Sequence, residues 1–411
     1  MGIYNLVSVL GLLVLMAIAW ALSRQRGRVN VRCVAAGVAL QLALGAVVFL
    51  APPSRAVFAW INDLTIEVLA ACQAGQAFVF GSLADPEAVG GFSLATQALP
   101  LIIFFSALMG LLYYAGIMPA IIRAFAWVFS RAMGISGAES LCAASNIFVG
   151  IESVTAVRPY LQRMTRSEFC TILAAGMATV AASTMAVYVS MLSAVLPGIA
   201  GHLVSASILS VPAAILMAKI LYPEDGQPVT GGTTARFDIE REPGPLEAVI
   251  AGAMAGVKLV VGVVALLIAF VGMIGLADLV LGWIHDGLSL AKILGYAFAP
   301  LAMVIGVPWA DAPLAGQMLG VRMVATEIPA YLRLQAALES GSFTSPRSGM
   351  IVAYALCGFA HVASLAIFVG GTAALAPDRR NDIAAVGPRA LLAATLACLM
   401  TGAVAGTFFV G

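Results

Sequence analysis

The stretch GFAHVAS at residues 358–364 has a weaker copy, GMATVAAS, at residues 176–183. Each stretch lies in the middle of a long apolar segment that opens with an Arg-Ser pair and closes at a proline. Upstream of each lies a short apolar region with one carboxylate, Glu152 in the first case and Glu327 in the second. Small and polar residues that interrupt membrane-length helices in two related halves are typical of inverted-repeat transporters. The sequence therefore predicts one central site made from these four pieces.

The composition is that of an integral membrane protein. Of the 411 residues, 62% are hydrophobic and 10% are charged, whereas a soluble protein carries roughly 25% charged residues. Several apolar runs exceed the ~20 residues needed to cross the hydrocarbon core of a lipid bilayer. The net charge of +1 gives no support for a nucleic-acid partner. The cysteines lack metal-ligand spacing, so we expect no enzyme cofactor.

We predict an all-α polytopic membrane protein with eight transmembrane helices plus two re-entrant helical hairpins in an inverted repeat. The predicted spans are residues 3–22, 33–50, 94–116, 168–196, 203–222, 247–283, 349–375 and 390–410. The hairpins are residues 135–165 and 310–338, and breaks are expected near 176–179 and 360–362. Non-helical backbone at membrane depth occurs only where it is buried in protein or lines a cavity.

Arginines indicate the orientation. They follow the first span (Arg24, Arg26, Arg28, Arg32), the first hairpin (Arg158, Arg163, Arg166) and the seventh span, in a predicted loop at 378–389. Because arginine-rich loops stay in the cytoplasm, both termini are expected outside. Three crossings separate the hairpins, so the second repeat is inverted. Residues 52–92 are predicted as an interfacial helix plus loop, 118–133 as an interfacial helix, and 223–246 as a polar loop.

Polar residues in the interrupted segments suggest solute transport. A carboxylate at mid-membrane costs at least ~2.5–3.5 kcal/mol on insertion scales, so it usually faces a wet site. Glu327 could instead pair with Arg322 or Arg333, and His361 could simply bond a backbone carbonyl. Ser364 lies three residues after His361, on the same helix face.

An unwound first break would expose oxygen atoms. The carbonyls of Val149, Thr179 and Val180, with the side chains of Asn146 and Thr179, would form a cage suited to Na⁺. The alternative is that Thr179 and Ser183 only bond back to their own helix, which is common for such residues in membrane spans.

The sequence resembles the concentrative nucleoside transporter family over nearly its whole length. The stretches that carry the resemblance are AGQAFVFGSL at 74–83, LPLIIFFS at 99–106, SNIFVG at 145–150, GVPW at 306–309, ALCGFA at 355–360 and LAPDRR at 375–380.

The resemblance implies a homotrimer in a bacterial inner membrane. It also implies uptake of nucleosides driven by a cation gradient, in which a transport domain moves against a scaffold. It divides the chain into scaffold helices (1–134), a first repeat (135–222), a cytoplasmic loop (223–246), a sixth span with an interfacial helix (247–308) and a second repeat (309–411).

The resemblance also assigns roles to residues. Glu327 and Ser364 would bond ribose hydroxyls, and Phe359 would pack near the base. Asn146, Val149, Thr179 and Val180 would hold sodium.

Five positions depart from the family pattern. After Gly150 the family has Gln, then Thr or Ser, then Glu, which read the base; here Ile151-Glu152-Ser153 follow, in a hairpin one residue shorter. His361 stands where the family has a ribose-binding Asn, and Thr184 where an apolar base contact is expected. We therefore do not assume uridine and expect a different nucleoside or a nucleoside-like solute, because a mismatch at a hydrogen-bonding site rejects the wrong ligand strongly.

The coupling ion is open between Na⁺ and H⁺. The predicted cage favours Na⁺, whereas His361 is of a residue type that can serve as a proton shuttle. Glu327 or Glu152 could also carry a proton.

Two rival functions are considered. Gly-Ile-Ser-Gly at 134–137 has the form of a serine nucleophile motif, and Ser136 with His361 could form an intramembrane protease dyad. In a chain with 41 glycines such a motif arises easily by chance, so a turn and helix start are favoured. The other rival is a nucleoside-binding membrane protein of the same fold that does not transport, since fold does not fix function.

Overall fold

The computed structural model describes residues 2–232, 235 and 242–409, without the side chains at 52–55 and 58. This described part is helical and contains no strand, as predicted. The helices of its first half are α1 (Ile3–Ala21), α2 (Val31–Leu50), α3 (Pro52–Phe80), α4 (Leu99–Tyr114), α5 (Ile117–Met133), α6 (Gly137–Ser145), α7 (Arg166–Ala178), α8 (Ala182–Leu192) and α9 (Ile199–Leu221). Those of the second half are α10 (Pro245–Ile284), α11 (Leu290–Val304), α12 (Ala312–Val324), α13 (Glu327–Glu339), α14 (Pro346–Leu356), α15 (Val362–Leu375) and α16 (Arg380–Phe408). The predicted loop at 223–246 falls partly outside the described residues.

Within the described residues, 8 helical segments are long and apolar enough to cross a membrane. All the predicted spans except the seventh coincide with one of them. The seventh consists of α14 and α15, which are separate half-length helices. The eighth segment is Ala59–Ala84, within the region predicted as an interfacial helix plus loop. There α3 runs unbroken for 29 residues, and its place along the interface stays a prediction.

The predicted loop at 378–389 is wrong, because α16 already begins at Arg380. The charges that suggested a loop neutralise one another at the helix start. Asp382 lies in the first turn and accepts hydrogen bonds from Arg166 at 2.7 Å and from Arg379 at 2.9 Å. A carboxylate is also favourable beside the partial positive charge of a helix N-terminus.

Both predicted hairpins are present. In the first, α6 leads to a tip at Asn146–Gly150 and returns as a 3₁₀ helix, Ile151–Arg163. A 3₁₀ helix of 13 residues is long for its kind, since runs beyond 3–4 residues are uncommon. In the second hairpin, α12 and α13 meet at Ala325 and Thr326, which places Glu327 at the start of the returning arm.

Each hairpin is tied to its own broken helix by a serine–carboxylate hydrogen bond. Ser136 Oγ, before α6, donates to Glu168 Oε1 in the first turn of α7 at 2.6 Å. In the second repeat Ser348 Oγ, in α14, donates to Asp311, which precedes α12. The roles of the two partners are exchanged, but the same ends are joined in both repeats.

The breaks in the two repeats lie against each other. The Phe359 amide donates to the Thr179 carbonyl at 3.4 Å. This approach requires a glycine at 358, because a Cβ atom there would lie 2.6 Å from the Ala178 carbonyl oxygen. The two unwound segments therefore form one irregular centre in the middle of the helical core.

Two packing blocks surround this centre. In one, α7, α9 and α16 pack together, and α1 and α2 lie on α9 and α16. In the other, α4 and α10 pack closely because Gly110, Gly252 and Gly256 let the backbones approach; a Cβ at Gly252 would lie 2.4 Å from the Ser106 carbonyl oxygen. The assignment of residues 1–134 to a scaffold stays a prediction, and for α1 and α2 the packing favours the first block instead.

Candidate functional site

A cavity of about 350 Å³ lies where the hairpin tips and broken helices face the α4–α10 pair. This volume lies within the range of about 300–1,000 Å³ that small-molecule sites occupy. All the residues predicted to bind substrate line it, namely Ile151, Glu152, Ser153, Thr184, Glu327, Phe359, His361 and Ser364. The sequence thus identified one wall of one cavity from positions more than 200 residues apart in the chain.

Glu327 is the most buried carboxylate in this wall, at 4% exposure. Its Oε1 accepts a hydrogen bond from the Tyr188 hydroxyl at 2.5 Å, and its Oε2 lies 3.1 Å from His361 Nε2. It does not pair with Arg322 or Arg333, the partners considered from sequence. As the first residue of α13, it also lies at the positive end of a helix dipole. These contacts stabilise an ionised carboxylate at the cavity wall.

The hydrogen bonds of His361 fix its tautomer. Its Nδ1 faces the Ser364 backbone amide, which donates at 3.1 Å, so Nδ1 must be the acceptor. A neutral ring then carries its proton on Nε2, the atom that lies 3.1 Å from Glu327 Oε2.

His361 also begins α15. It is the N-cap residue, and Ser364 supplies the reciprocal contact of a capping box. The Ser364 hydroxyl donates to the His361 carbonyl at 2.7 Å and lies close to the Phe359 carbonyl. Ser364 Oγ accepts from the His361 amide at 3.3 Å, so it keeps one lone pair for a ligand while its proton is engaged by the break. His361 and Ser364, which we predicted to share one helix face, lie at the N-terminus of α15 and line the cavity.

The first hairpin places Ile151 and Glu152 differently. Ile151 packs closely against Gly371 of α15. A Cβ atom added at Gly371 would lie only 2.8 Å from the Cγ1 atom of Ile151. The Glu152 side chain folds over the hairpin tip, with Oε2 3.3 Å from a Cβ position at Gly150. Its carboxylate adds acceptors to the cavity lining at the first hairpin, as Glu327 does at the second.

The predicted sodium residues lie just behind this wall. Asn146 ends α6 and is fully buried; its Oδ1 accepts from the Ser153 hydroxyl at 2.8 Å. Val149 lines the cavity, whereas Asn146, Thr179 and Val180 do not. The Ala182 amide donates to the Phe148 carbonyl at 2.9 Å, which brings the hairpin tip to the first break.

The oxygen atoms of this region are only partly engaged. Thr179 Oγ1 bonds back to the Ala175 carbonyl at 2.9 Å, as the alternative from sequence expected, and it keeps lone pairs. The carbonyls of Val149 and Val180 receive no hydrogen bond from the described residues. The chemistry of this donor set suits a hard monovalent cation.

Sequence reasoning missed three contributors. Tyr188 was not identified, although it lies four residues after Thr184 and hence on the same face of α8. Tyr113 was missed in α4; its buried hydroxyl makes no hydrogen bond among the described residues and feels the charge of Glu152. The α10 wall, from Gly252 to Leu266, carries no polar signal that could have marked it.

The protease dyad does not form. Ser136 donates to Glu168 and caps α6, accepting from the Glu139 amide at 3.2 Å. Both ring nitrogens of His361 are engaged by Glu327 and Ser364. The Gly-x-Ser-Gly pattern serves as a turn and helix start, as favoured from sequence.

Models of known families match most of the chain. The matching descriptions are "Na+ dependent nucleoside transporter N-terminus" at residues 10–83, "Nucleoside recognition" at 95–195 and "Na+ dependent nucleoside transporter C-terminus" at 202–406. An "Uncharacterized transporter" of Haemophilus influenzae is 40% identical, with 98% of this chain and 97% of the relative covered. The "Putative nucleoside permease NupX" of Escherichia coli is 37% identical, with 98% of both covered.

Solved structures agree in fold. The "Structure of CNTnw in an inward-facing substrate-bound state" superposes with a TM-score of 0.92 at 38% identity and covers 98% of both chains. A CNTnw variant in an outward-facing state gives a TM-score of 0.91 at 36% identity and covers 99% of this chain and 98% of that one.

The fold and cavity define a multi-pass membrane transporter of the inverted-repeat class, not an enzyme. More narrowly, the chain belongs to the concentrative nucleoside transporter family.

Proposed function

We propose that this protein is a secondary active symporter that takes up nucleosides with a sodium gradient. The observation that carries the proposal is the arrangement of Glu327, His361 and Ser364 at the N-termini of α13 and α15, facing a cavity of about 350 Å³. An ionised carboxylate accepts hydrogen bonds, and the two ribose hydroxyls of a nucleoside can donate them. Hydrogen bonds to a charged group contribute about 1.5–3 kcal/mol each.

The contacts of Asn146 suggest how ion and solute are coupled. Its Oδ1 is the side-chain oxygen of the proposed sodium site, and it already accepts from Ser153, which lines the cavity. A cation bound by Asn146, Val149, Thr179 and Val180 would therefore fix the first hairpin tip against the first break. Binding of the ion would preorganise the cavity wall, which raises the affinity for the solute.

Sodium is favoured over protons because the family models that match this chain describe Na⁺-dependent nucleoside transporters. Glu327 receives hydrogen bonds that favour its ionised form. We propose Na⁺ as the coupling ion.

Base recognition differs from the usual family pattern. Ile151 packs toward Gly371 and offers neither donor nor acceptor, whereas Glu152 offers only acceptors when ionised. We propose that a base with a hydrogen-bond donor on its edge is preferred at this end, beside Glu152, Tyr113 and Thr184, and that uridine is not the best solute.

Transport would proceed by movement of the hairpins and broken helices against the α4–α10 pair. The cavity lies between these two groups, so a shift of one along the other would carry the solute across the membrane. A homotrimer in a bacterial inner membrane, with both termini outside, completes the proposal.

The test is uptake of radiolabelled nucleosides into proteoliposomes, under an inward Na⁺ gradient and, separately, an inward H⁺ gradient. Uridine, adenosine, guanosine and cytidine are compared, with protein-free liposomes as the control. Accumulation above equilibrium with Na⁺ supports the proposal. Binding without accumulation under either gradient would instead favour the non-transporting alternative.

A further inference from the structure

Arg322 is the largest fully buried side chain of the described residues. It lies in the last turn of α12, in the first arm of the second hairpin. Its Nη1 donates to the Ala355 carbonyl at 2.6 Å. Its Nε and Nη2 make no hydrogen bond to a nitrogen or oxygen atom within the described part of the chain, and no carboxylate there forms a salt bridge with it. A guanidinium stays charged in proteins, so a buried cation stands here without a contacting anion.

The structure around Arg322 supplies partial negative charge instead. Ala355 is the penultimate residue of α14, which ends at Leu356. The last carbonyls of a helix lack intrahelical donors and carry the negative end of the helix dipole. The guanidinium therefore occupies the place at the end of a half-helix where a bound cation would be stabilised.

The end of the other broken helix lies nearby. The Cys398 thiol is within 3.7 Å of the Ala178 carbonyl, which ends α7, and within 3.8 Å of the Cys357 carbonyl. Arg322 interacts electrostatically with both of these cysteines. Its charge thus acts on the centre at which both breaks meet.

The position of Arg322 in the second repeat corresponds to that of the proposed sodium site in the first. In the first repeat, the proposed sodium site combines a residue at the end of a hairpin's first arm, Asn146, with carbonyls at the end of a broken helix, Thr179 and Val180. In the second repeat, Arg322 comes from the corresponding hairpin arm and Ala355 from the corresponding broken helix. In the second repeat, the Arg322 guanidinium therefore occupies the position that corresponds to the proposed Na⁺ of the first repeat.

We propose that Arg322 is a positioning residue that serves as the built-in cation of the second repeat. It holds the end of α14, so that the break presents Phe359, His361 and Ser364 to the cavity, and it leaves no place for an ion in this repeat. The proposal rests on the sodium-coupled function proposed above.

Arg322 and Glu327 share a neighbour. The Tyr331 phenol interacts electrostatically with both residues, and its ring stacks on Tyr188, the partner of Glu327, at 4.5 Å. The second hairpin thus carries one positive and one negative side chain near its buried tip.

The first experiment uses the unaltered protein. The reversal potential of nucleoside flux in proteoliposomes, set with known Na⁺ and nucleoside gradients, gives the number of Na⁺ ions per nucleoside. The expected value is one, because Arg322 occupies the second cation position. A value of two would overturn the proposal, whereas uptake that ignores the Na⁺ gradient would refute the proposed function itself.

The second experiment compares R322K with R322M, and uses R333M, at an exposed position of α13, as the control. Each protein is first checked for a single monodisperse species in detergent. R322K, which keeps the charge, is expected to retain uptake within about fivefold, and R322M to lose more than about tenfold, as for loss of a hydrogen bond to a charged group. Uptake by R322M within twofold of the parent, or equal losses in R322K and R322M, would contradict the role of the charge. If R322M does not fold, the number of Na⁺ ions per nucleoside measured with the unaltered protein decides whether the proposal stands.

Discussion

The Nε2 atom of His361 lies 3.1 Å from Oε2 of Glu327 in the second repeat. Glu327 begins α13 and His361 caps α15, so this contact joins the hairpin tip to the break. Because Nδ1 of the same ring accepts from Ser364, one side chain both starts a helix and orients the carboxylate. The family's asparagine at this position could perform the same two tasks.

H361N is therefore expected to keep nucleoside uptake within about threefold, since Asn is a favoured N-cap residue. H361L removes a cap worth ~1 kcal/mol and a donor to a charged group worth about 1.5–3 kcal/mol. Its apparent affinity should fall by more than about tenfold. Initial uptake rates against nucleoside concentration check this, with H285L at an exposed position as the control. An unchanged KM in H361L would show that the contact has no role in binding.

Y188F is expected to weaken solute binding by roughly tenfold, because Glu327 loses a charge-assisted hydrogen bond worth about 1.5–3 kcal/mol. The matched control is Y331F, whose hydroxyl donates to the Ala353 carbonyl at 3.0 Å and makes no hydrogen bond to Glu327. The two rings stack, so both changes disturb the packing similarly. Equal KM values in both variants would mean that packing, not the Glu327 contact, sets the effect.

N146A is expected to raise the Na⁺ concentration for half-maximal uptake by more than about tenfold, since it removes a side-chain ligand and the Ser153 contact. N30A removes another asparagine that makes a structural hydrogen bond. Asn30 is the N-cap of α2, and its Oδ1 accepts from the Cys33 amide at 3.2 Å. It serves as the control for general destabilisation. Uptake is measured with choline replacing Na⁺. A sodium dependence identical in N146A and the parent would refute the proposed cage.

I151Q is expected to change the order of preferred nucleosides and to increase uridine uptake relative to the other bases. The added amide supplies the donor and acceptor that Ile151 lacks. Competition of unlabelled nucleosides against one labelled solute measures the order. I121Q makes the same change in α5, outside the cavity lining. If the order is the same in both variants, position 151 does not read the base.

S136A is expected to keep transport while it lowers stability by roughly 1–3 kcal/mol. It removes the cap of α6 and the partner of buried Glu168. The apparent melting temperature in detergent should fall, with S340A at an exposed position as the control. Proteolytic activity in the parent that disappears in S136A would restore the protease interpretation.

The hairpins and breaks could be predicted because they carry chemical marks. Gly150, Glu152 and Glu327 are costly in a plain span, so the interruption and its place were visible. The start of α16 was not visible in the same way. Charged residues near Asp382 suggested a loop, because neutralisation by Arg166 and Arg379 from distant segments is a tertiary effect.

The site was predicted only where a polar residue was out of place. Tyr188 and Tyr113 escaped, since a tyrosine in an apolar helix is ordinary and its hydroxyl acquires a role only from what lies opposite. The hydrogen bond of Ser153 to Asn146 also needed the folded hairpin. The wall at Gly252 is defined by the absence of side chains, which the sequence gives no reason to associate with a cavity.

The hydrogen bond from Phe359 to Thr179 has a consequence for biosynthesis. A chain made from the N-terminus folds its earlier parts first, yet the first break cannot be completed until residue 359 has left the ribosome. Until then the Thr179 carbonyl lacks the Phe359 amide as its donor. The insertion machinery or neighbouring lipid and water must shelter this segment, so variants that slow synthesis between the repeats should leave the nascent first half exposed to membrane quality control.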